Sequence, residues 1–103
     1  MYNLMFVTRA RSSGYENRHT IGFETIEAAS NYIRNQWYDS YFEEEEWDEE
    51  HMKGPQPTKD EFSPEAIIKK LGNQNTVALF DPYNYYHALV PDEIIISKVK
   101  VFT

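Results

Sequence analysis

The acidic residues of this chain are concentrated in one short stretch, residues 39–50, which we call the acidic segment. It holds eight of the seventeen acidic residues in a sequence of 103. If a helix continued through it, four carboxylates would share one side of the helix at axial steps of roughly 4.5 to 6 Å. These four are Asp39, Glu43, Glu46 and Glu50. Phosphates along a nucleic-acid strand recur at a comparable spacing, so a groove lined with Lys and Arg could accept such a row.

Three aromatic residues lie among these charges. Such rings are unfavourable in a charged stretch unless they pack on the domain or on a partner, and rings rimmed by charge are typical of binding hot spots. The sequence therefore predicts a partner-binding site made of Asp39, Tyr41, Phe42, Glu43, Glu46, Trp47 and Glu50. The alternative is that the acidic segment is a solvated surface that only aids solubility.

Other kinds of chemistry have weaker support in the sequence. The acidic segment lacks the spacing of an EF-hand loop, and adjacent Glu side chains on a helix diverge, so we expect no metal site. No nucleophile elbow and no phosphate-binding glycine loop is present. The histidines are far apart in sequence, at His19, His51 and His87. We therefore expect no catalytic residues, no cofactor and no enzymatic activity.

The distribution of charge indicates the kind of partner. Residues 1–20 carry a net charge of +2, residues 21–61 carry −9, and residues 62–103 are balanced, which gives −7 in total. A weak basic patch, Arg9, Arg11 and Arg18, is expected to pair with the acidic segment or to touch a protein partner. An acidic field repels nucleic acid and favours basic protein surfaces. The predicted partner is a basic surface, that of a nucleic-acid-binding enzyme, and direct binding of nucleic acid is not expected.

The compartment is predicted from what the sequence lacks. Without cysteine the chain needs no oxidising environment. It shows neither a signal peptide nor an apolar stretch of about 20 residues, the length that spans a bilayer. We therefore expect a cytoplasmic protein without membrane contact.

A long helix is predicted from Ile26 to about Tyr41, and it leads into the acidic segment. Apolar residues follow helical steps of three and four, and Thr25 can cap the first turn. This stripe consists of Ile26, Ala29, Ile33, Trp37 and Tyr41. Continuation of the helix to Glu50 is left open, since each like-charged pair four residues apart costs ~0.2–0.5 kcal/mol and acids near a helix C-terminus oppose its dipole.

The remaining elements complete a single α+β domain, residues 1–103. Ser63 caps a short helix that presents Ile67, Ile68 and Leu71 inward and stops at Gly72, after a loop over residues 51–61. Strands are predicted at residues 2–8, 19–24, 76–80, 85–90 and 94–102; in the last, Ile95, Val99 and Val101 alternate with Ile96, Lys98 and Lys100. The expected fold is a mostly antiparallel sheet of about five strands, covered on one face by one long and one short helix, in the order ββα-αβββ.

At class level, this acidic, cysteine-free, tyrosine-rich chain resembles the small inhibitors that bacteriophages and mobile elements encode. The resemblance rests on composition and on residues 39–50, and it extends to no specific family. It implies an anti-defence protein that blocks restriction, CRISPR or other defence enzymes, in some cases as a DNA mimic. The sequence thus predicts a non-enzymatic inhibitor. The alternative is a structural or regulatory accessory protein that self-associates as a homo-oligomer or joins a complex, with the acidic segment serving solubility.

Overall fold

A computed structural model describes residues 1–9, 16–44, 47, 54–81 and 93–100. Its strands are β1 (Tyr2–Arg9), β2 (Glu16–Phe23), β3 (Thr76–Phe80) and β4 (Glu93–Lys98). They form one antiparallel sheet in the order β2-β1-β4-β3. The α+β class and the antiparallel sheet are confirmed. The sheet has four strands within the described residues rather than five, and the strand predicted at residues 85–90 lies outside them.

The helices pack on one face of this sheet. A long helix covers residues 26–44 and consists of α1 (Ile26–Tyr32), a π-helical turn (Ile33–Trp37) and α2 (Tyr38–Glu44). A 3-10 turn (Lys59–Phe62) precedes the short helix α3 (Pro64–Leu71). Within the described parts of the chain, no helix combines the length and the apolar character that crossing a bilayer requires.

Strand register decides which residues of the sheet face the helices. Leu4 and Phe6 of β1 are buried, and they pair directly with Ile96 and Ile94 of β4. Directly opposed residues share a face, so all four side chains join the core. Ile95 lies on the opposite face and is only half-buried. The buried face of β4 is therefore the one that carries Ile96, although Lys98 follows on the same side at the exposed end of the strand.

The long helix departs from regular α geometry in its middle. It begins as predicted, since the Thr25 hydroxyl accepts a hydrogen bond from the N–H of Ala28 at 3.1 Å. In the π turn the N–H of Tyr38 donates to the carbonyl of Ile33, five residues back. A turn with more residues separates successive side chains by less than the 100° of an α-helix. Trp37 at the end of this turn and the adjacent Tyr38 both pack against the core, and Tyr41 and Phe42 of α2 do so as well.

The second helix matches its prediction in bounds and caps but not in every inward residue. The Ser63 hydroxyl accepts from the N–H of Ala66, and the helix stops at Gly72, whose φ is 53°. Ile67 and Leu71 are buried, whereas Ile68 is 53% exposed. The prediction that Ile68 faces inward is wrong, because it is turned about 100° from Ile67 on the helix surface.

The end of the predicted loop at residues 51–61 is ordered as the 3-10 turn. Its start carries a capping box, in which the N–H of Thr58 donates to a carboxylate oxygen of Glu61 at 2.7 Å. This turn delivers Phe62 into the core, where its side chain is 1% exposed. The buried hydroxyl of Ser30 on α1 donates to the carbonyl of Phe62. The long helix is thus joined to the turn before α3 by a buried hydrogen bond that apolar periodicity does not reveal.

We expect Ser30→Ala to lower the free energy of unfolding by about 1–3 kcal/mol, because it leaves the buried Phe62 carbonyl without its donor. Urea denaturation measures the difference. Ser40→Ala is the matched control on the same helix, since Ser40 is exposed and the gain in helix propensity is the same. Equal stabilities of the two variants would show that the Ser30 hydrogen bond contributes nothing.

Candidate functional site

The helix carries only the first part of the acidic segment. α2 ends at Glu44, and Trp47 lies outside any helix, so a regular helical row through Glu50 is not formed. Asp39 and Glu43, the first two carboxylates of the predicted row, are exposed residues of α2. Exposure is what a charged binding surface requires. The predicted site residues Glu46 and Glu50 lie outside the described residues. Like-charged neighbours and the helix dipole oppose a helix that continues through Trp47, in agreement with the non-helical backbone of that residue.

The aromatic residues of the acidic segment pack on the domain itself. Tyr41, Phe42 and Trp47 are half-buried, and their ring centroids lie 5.8, 6.2 and 6.1 Å from that of Phe80. From the sequence, these rings were expected to pack either on the domain itself or on a partner protein. Packing on the domain is observed, and each ring remains partly exposed, as Asp39 and Glu43 of α2 are exposed.

Phe80 reaches these rings because of an irregularity in β3. The pairing of β3 with β4 shifts register between Ala78 and Phe80. Bulges of this kind let successive residues turn toward the same side. Leu79 and Phe80 are accordingly both buried in the core. Alternation along the strand predicts opposite faces for them, so the position of Phe80 could not be predicted from the pattern of residues.

Phe80 belongs to a continuous aromatic cluster, which we define as Trp37, Tyr38, Tyr41, Phe42, Trp47, Phe62 and Phe80. Trp37 lies near its centre and stacks on Tyr41 with a centroid distance of 4.8 Å and an interplanar angle of 24°. It also meets Phe62 and Phe80 edge-on at 5.8 and 5.2 Å. Aromatic pairs in such geometries contribute about 0.5–1.5 kcal/mol each beyond the burial of their area. The cluster therefore holds the start of the acidic segment firmly on the domain.

Two hydrogen bonds attach the segment after α2 to the same cluster. The indole N–H of Trp47 donates to the carbonyl of Gly54 at 3.0 Å. The Tyr38 hydroxyl donates to the carbonyl of Pro57 at 2.7 Å. Gly54 has a φ of 78°, a conformation that favours glycine. The chain is thus fixed both at Trp47 and at Gly54, on either side of the last acids of the acidic segment.

The charge of the acidic segment is partly balanced within the domain. Lys59 forms an ion pair with Asp39, with Nζ to Oδ1 at 2.9 Å, and the two side chains are 45% and 65% exposed. Its ammonium also lies 5.6 Å from the centre of the Tyr38 ring. An ion pair this exposed contributes at most about 1 kcal/mol. Lys59 was not singled out from the sequence, because only folding brings it beside α2.

Comparisons with protein-family models, with curated proteins and with solved structures find no match. The site is therefore interpreted from its own geometry. Within the described ranges, no three His, Asp or Glu side chains lie close enough together to hold a metal ion. Of the predicted basic patch, the Arg18 guanidinium lies 3.7 Å from the sulfur of Met5 across the hairpin. The side chains of Arg9 and Arg11 lie outside the described part of the chain.

We expect Trp47→Ala to destabilise the protein by roughly 2 kcal/mol, about half the value for a fully buried ring, because Trp47 is half-buried. Trp47→Phe keeps a smaller ring against Phe80 and removes the hydrogen bond to Gly54, so it should cost less than Trp47→Ala, about 1 kcal/mol. Urea denaturation of both variants separates the two contributions. If Trp47→Ala unfolded at the same urea concentration as the wild type, the anchoring role of this residue would be contradicted.

Proposed function

We propose that this protein is a non-enzymatic inhibitor that binds a basic site on another protein through the acidic segment. One observation carries the proposal. Tyr41, Phe42 and Trp47 are fixed on Phe80, while Asp39 and Glu43 are exposed beside them. A segment that served only solubility would not need to be anchored by three rings and a hydrogen bond.

Anchoring matters because it lowers the cost of binding. Association loses affinity when loops and long side chains must be ordered at the interface. Here α2 and the aromatic cluster hold the described part of the acidic segment, residues 39–44 and Trp47, in place before a partner arrives. Asp39, Glu43, Glu46 and Glu50 supply the negative charge in this proposal, and the exposed parts of Tyr41, Phe42 and Trp47 supply apolar contacts.

The partner we propose is a nucleic-acid-handling enzyme, with defence enzymes as the class that the resemblance suggests. Sites that bind nucleic acid carry clustered Lys and Arg that neutralise phosphates. Long-range electrostatic attraction draws an acidic, preordered surface on a protein of net charge −7 to such a site. Once bound, this surface blocks access to the site. Inhibition then follows from occupation of the site, and no reaction is needed.

The test is capture of partners from extracts of the source organism and of its host on immobilised protein. The wild type is compared with a variant carrying Asp39→Asn, Glu43→Gln, Glu46→Gln and Glu50→Gln. We expect the wild type to retain a protein that rising NaCl or added duplex DNA releases, and the variant to lose it. The control variant removes the same charge from exposed acids elsewhere: Glu24→Gln, Glu27→Gln, Asp60→Asn and Glu65→Gln.

Partner capture that resists salt, or that is equal for the two charge variants, contradicts the proposal. Light scattering is measured in parallel. A stable homodimer that the substitutions in the acidic segment leave intact would instead support the accessory role in which the acids serve solubility. A gel shift with duplex DNA checks that the protein itself does not bind nucleic acid.

A further inference from the structure

A cavity of about 360 Å³ lies between the β1–β2 hairpin and the long helix. One wall is the helix-facing side of the hairpin, with Phe6, Asn17 and His19. The other wall comes from the helix, with Gln36 and Trp37 of the π turn and with Tyr41 of α2 among its residues. Its volume falls near the lower end of the roughly 300–1,000 Å³ in which proteins enclose small ligands.

The cavity forms because the helix-facing side chains of the hairpin change from apolar to polar along its length. Cross-strand pairs near its base are apolar, such as Leu4 with Ile21, and they pack against the core. The pairs farther out are Phe6 with His19 and Thr8 with Asn17. These outer positions on β2 are exposed and polar. The space between the hairpin and the helix is therefore filled at one end and left open at the other.

The π turn shapes the opposite wall. Gln36 and Trp37 both belong to it, and both line the cavity. A π turn is a rare interruption of an α-helix that occurs frequently at functional sites. In this helix it allows Trp37 to line the cavity while the adjacent Tyr38 packs against Phe62, with ring centroids 6.3 Å apart. Residues in and next to the π turn therefore contribute side chains both to the core and to the lining of the cavity.

The lining combines flat rings with uncharged hydrogen-bonding groups. Phe6 and Tyr32, with centroids 5.9 Å apart, join Trp37 and Tyr41 as the aromatic part. The carboxamides of Asn17 and Gln36 each present a donor beside an acceptor, the pattern that complements the edge of a nucleobase. Among the described residues of the lining there is no carboxylate, ammonium or guanidinium group.

We propose that this cavity binds an uncharged heteroaromatic compound of the nucleobase or nucleoside class. The rings offer stacking surfaces, which are worth about 1–3 kcal/mol per base where they are used in nucleic-acid binding. Gln36 and Asn17 recognise the edge of the base. A phosphorylated ligand is disfavoured, because the described lining holds no Lys or Arg side chain to pair with phosphate, leaving only the imidazole of His19, and the protein carries a net charge of −7. The ligand is therefore a base or nucleoside rather than a nucleotide.

The cavity shares Tyr41 with the acidic segment, but its recognition residues Asn17 and Gln36 lie outside that segment, so substitutions there test this proposal separately from the partner-binding function. It is tested by calorimetric titration of the intact protein with adenosine, guanosine, cytidine and uridine, followed by NMR of the isotope-labelled protein. We expect at least one nucleoside to bind at a ratio of one to one and to shift the Trp37 indole resonance. Its 5′-monophosphate should bind at least tenfold more weakly.

Two variants and a matched control assign the binding to the cavity. Gln36→Leu removes the carboxamide from an exposed helix position, so the fold is retained and binding should weaken at least tenfold. Asn17→Phe places a ring in the cavity from β2 and should abolish binding. Gln74→Leu makes the same chemical change at an exposed residue outside the cavity, and it should bind as the wild type does.

Three results would overturn the proposal. The first is that none of the four nucleosides binds. The second is that a nucleoside binds and Gln36→Leu binds it as tightly as the wild type. The third is that 1-methylindole, a flat ring without base-edge groups, competes as well as the nucleoside. That result would assign the cavity to an apolar ring, such as an aromatic side chain of a partner protein.

Discussion

Ring packing around Phe80 is the interaction on which the rest of the structure depends. Phe80 ends β3, and its ring contacts Trp37 and Tyr41 of the long helix, Phe62 of the 3-10 turn, and Trp47 of the acidic segment. Three other parts of the chain therefore meet at one side chain that is 5% exposed. In a domain of this size few residues are fully buried, so large rings supply an unusual share of the apolar burial. Without Phe80 the helix, the turn and the acidic segment would lose their common contact.

The π turn is the second constraint, and it follows from the first. A uniform α-helix from Ile26 to Glu44 would turn Trp37 and Tyr38 a full 100° apart. The wider turn brings both toward the domain, so that Trp37 meets Phe80 and Tyr38 meets Phe62. The same geometry leaves Gln36 on the cavity wall. The departure from regular hydrogen bonding is offset by ring contacts that a regular helix would not make.

Local signals in the sequence predicted the elements well. Thr25 and Ser63 cap the two helices as expected, and β1, β3 and α3 begin where alternation and capping place them. Features that depend on tertiary contacts were not predictable. The π turn leaves the spacing of apolar residues unchanged, and the bulge before Phe80 breaks an alternation that the sequence does not mark. Ile68 was misplaced because a short helix with three apolar residues does not itself reveal which two of them meet the sheet.

The candidate site was predictable in composition and less so in geometry. The concentration of charge in residues 39–50 is evident from the sequence, and Asp39 and Glu43 are exposed as a charged surface requires. That the rings of this segment pack inward, and that Lys59 comes within 2.9 Å of Asp39, depends on how distant parts of the chain meet. The cavity was not predicted, because its lining combines alternate residues of two strands with residues of the long helix, and only the folded arrangement of these elements brings them together.

The position of β2 at the edge of the sheet has a kinetic consequence. Among the described strands it is hydrogen-bonded only to β1, so it can separate from the sheet by breaking a single ladder, whereas β1 and β4 are each held on both sides. Strands held on one side open locally at a lower free-energy cost than central ones. Because β2 forms one wall of the cavity, whose outer end is already open, such opening widens the entrance and speeds the exchange of a bound ring. The stability of the β1–β2 ladder then tunes the release rate, while the aromatic cluster stays packed on Phe80.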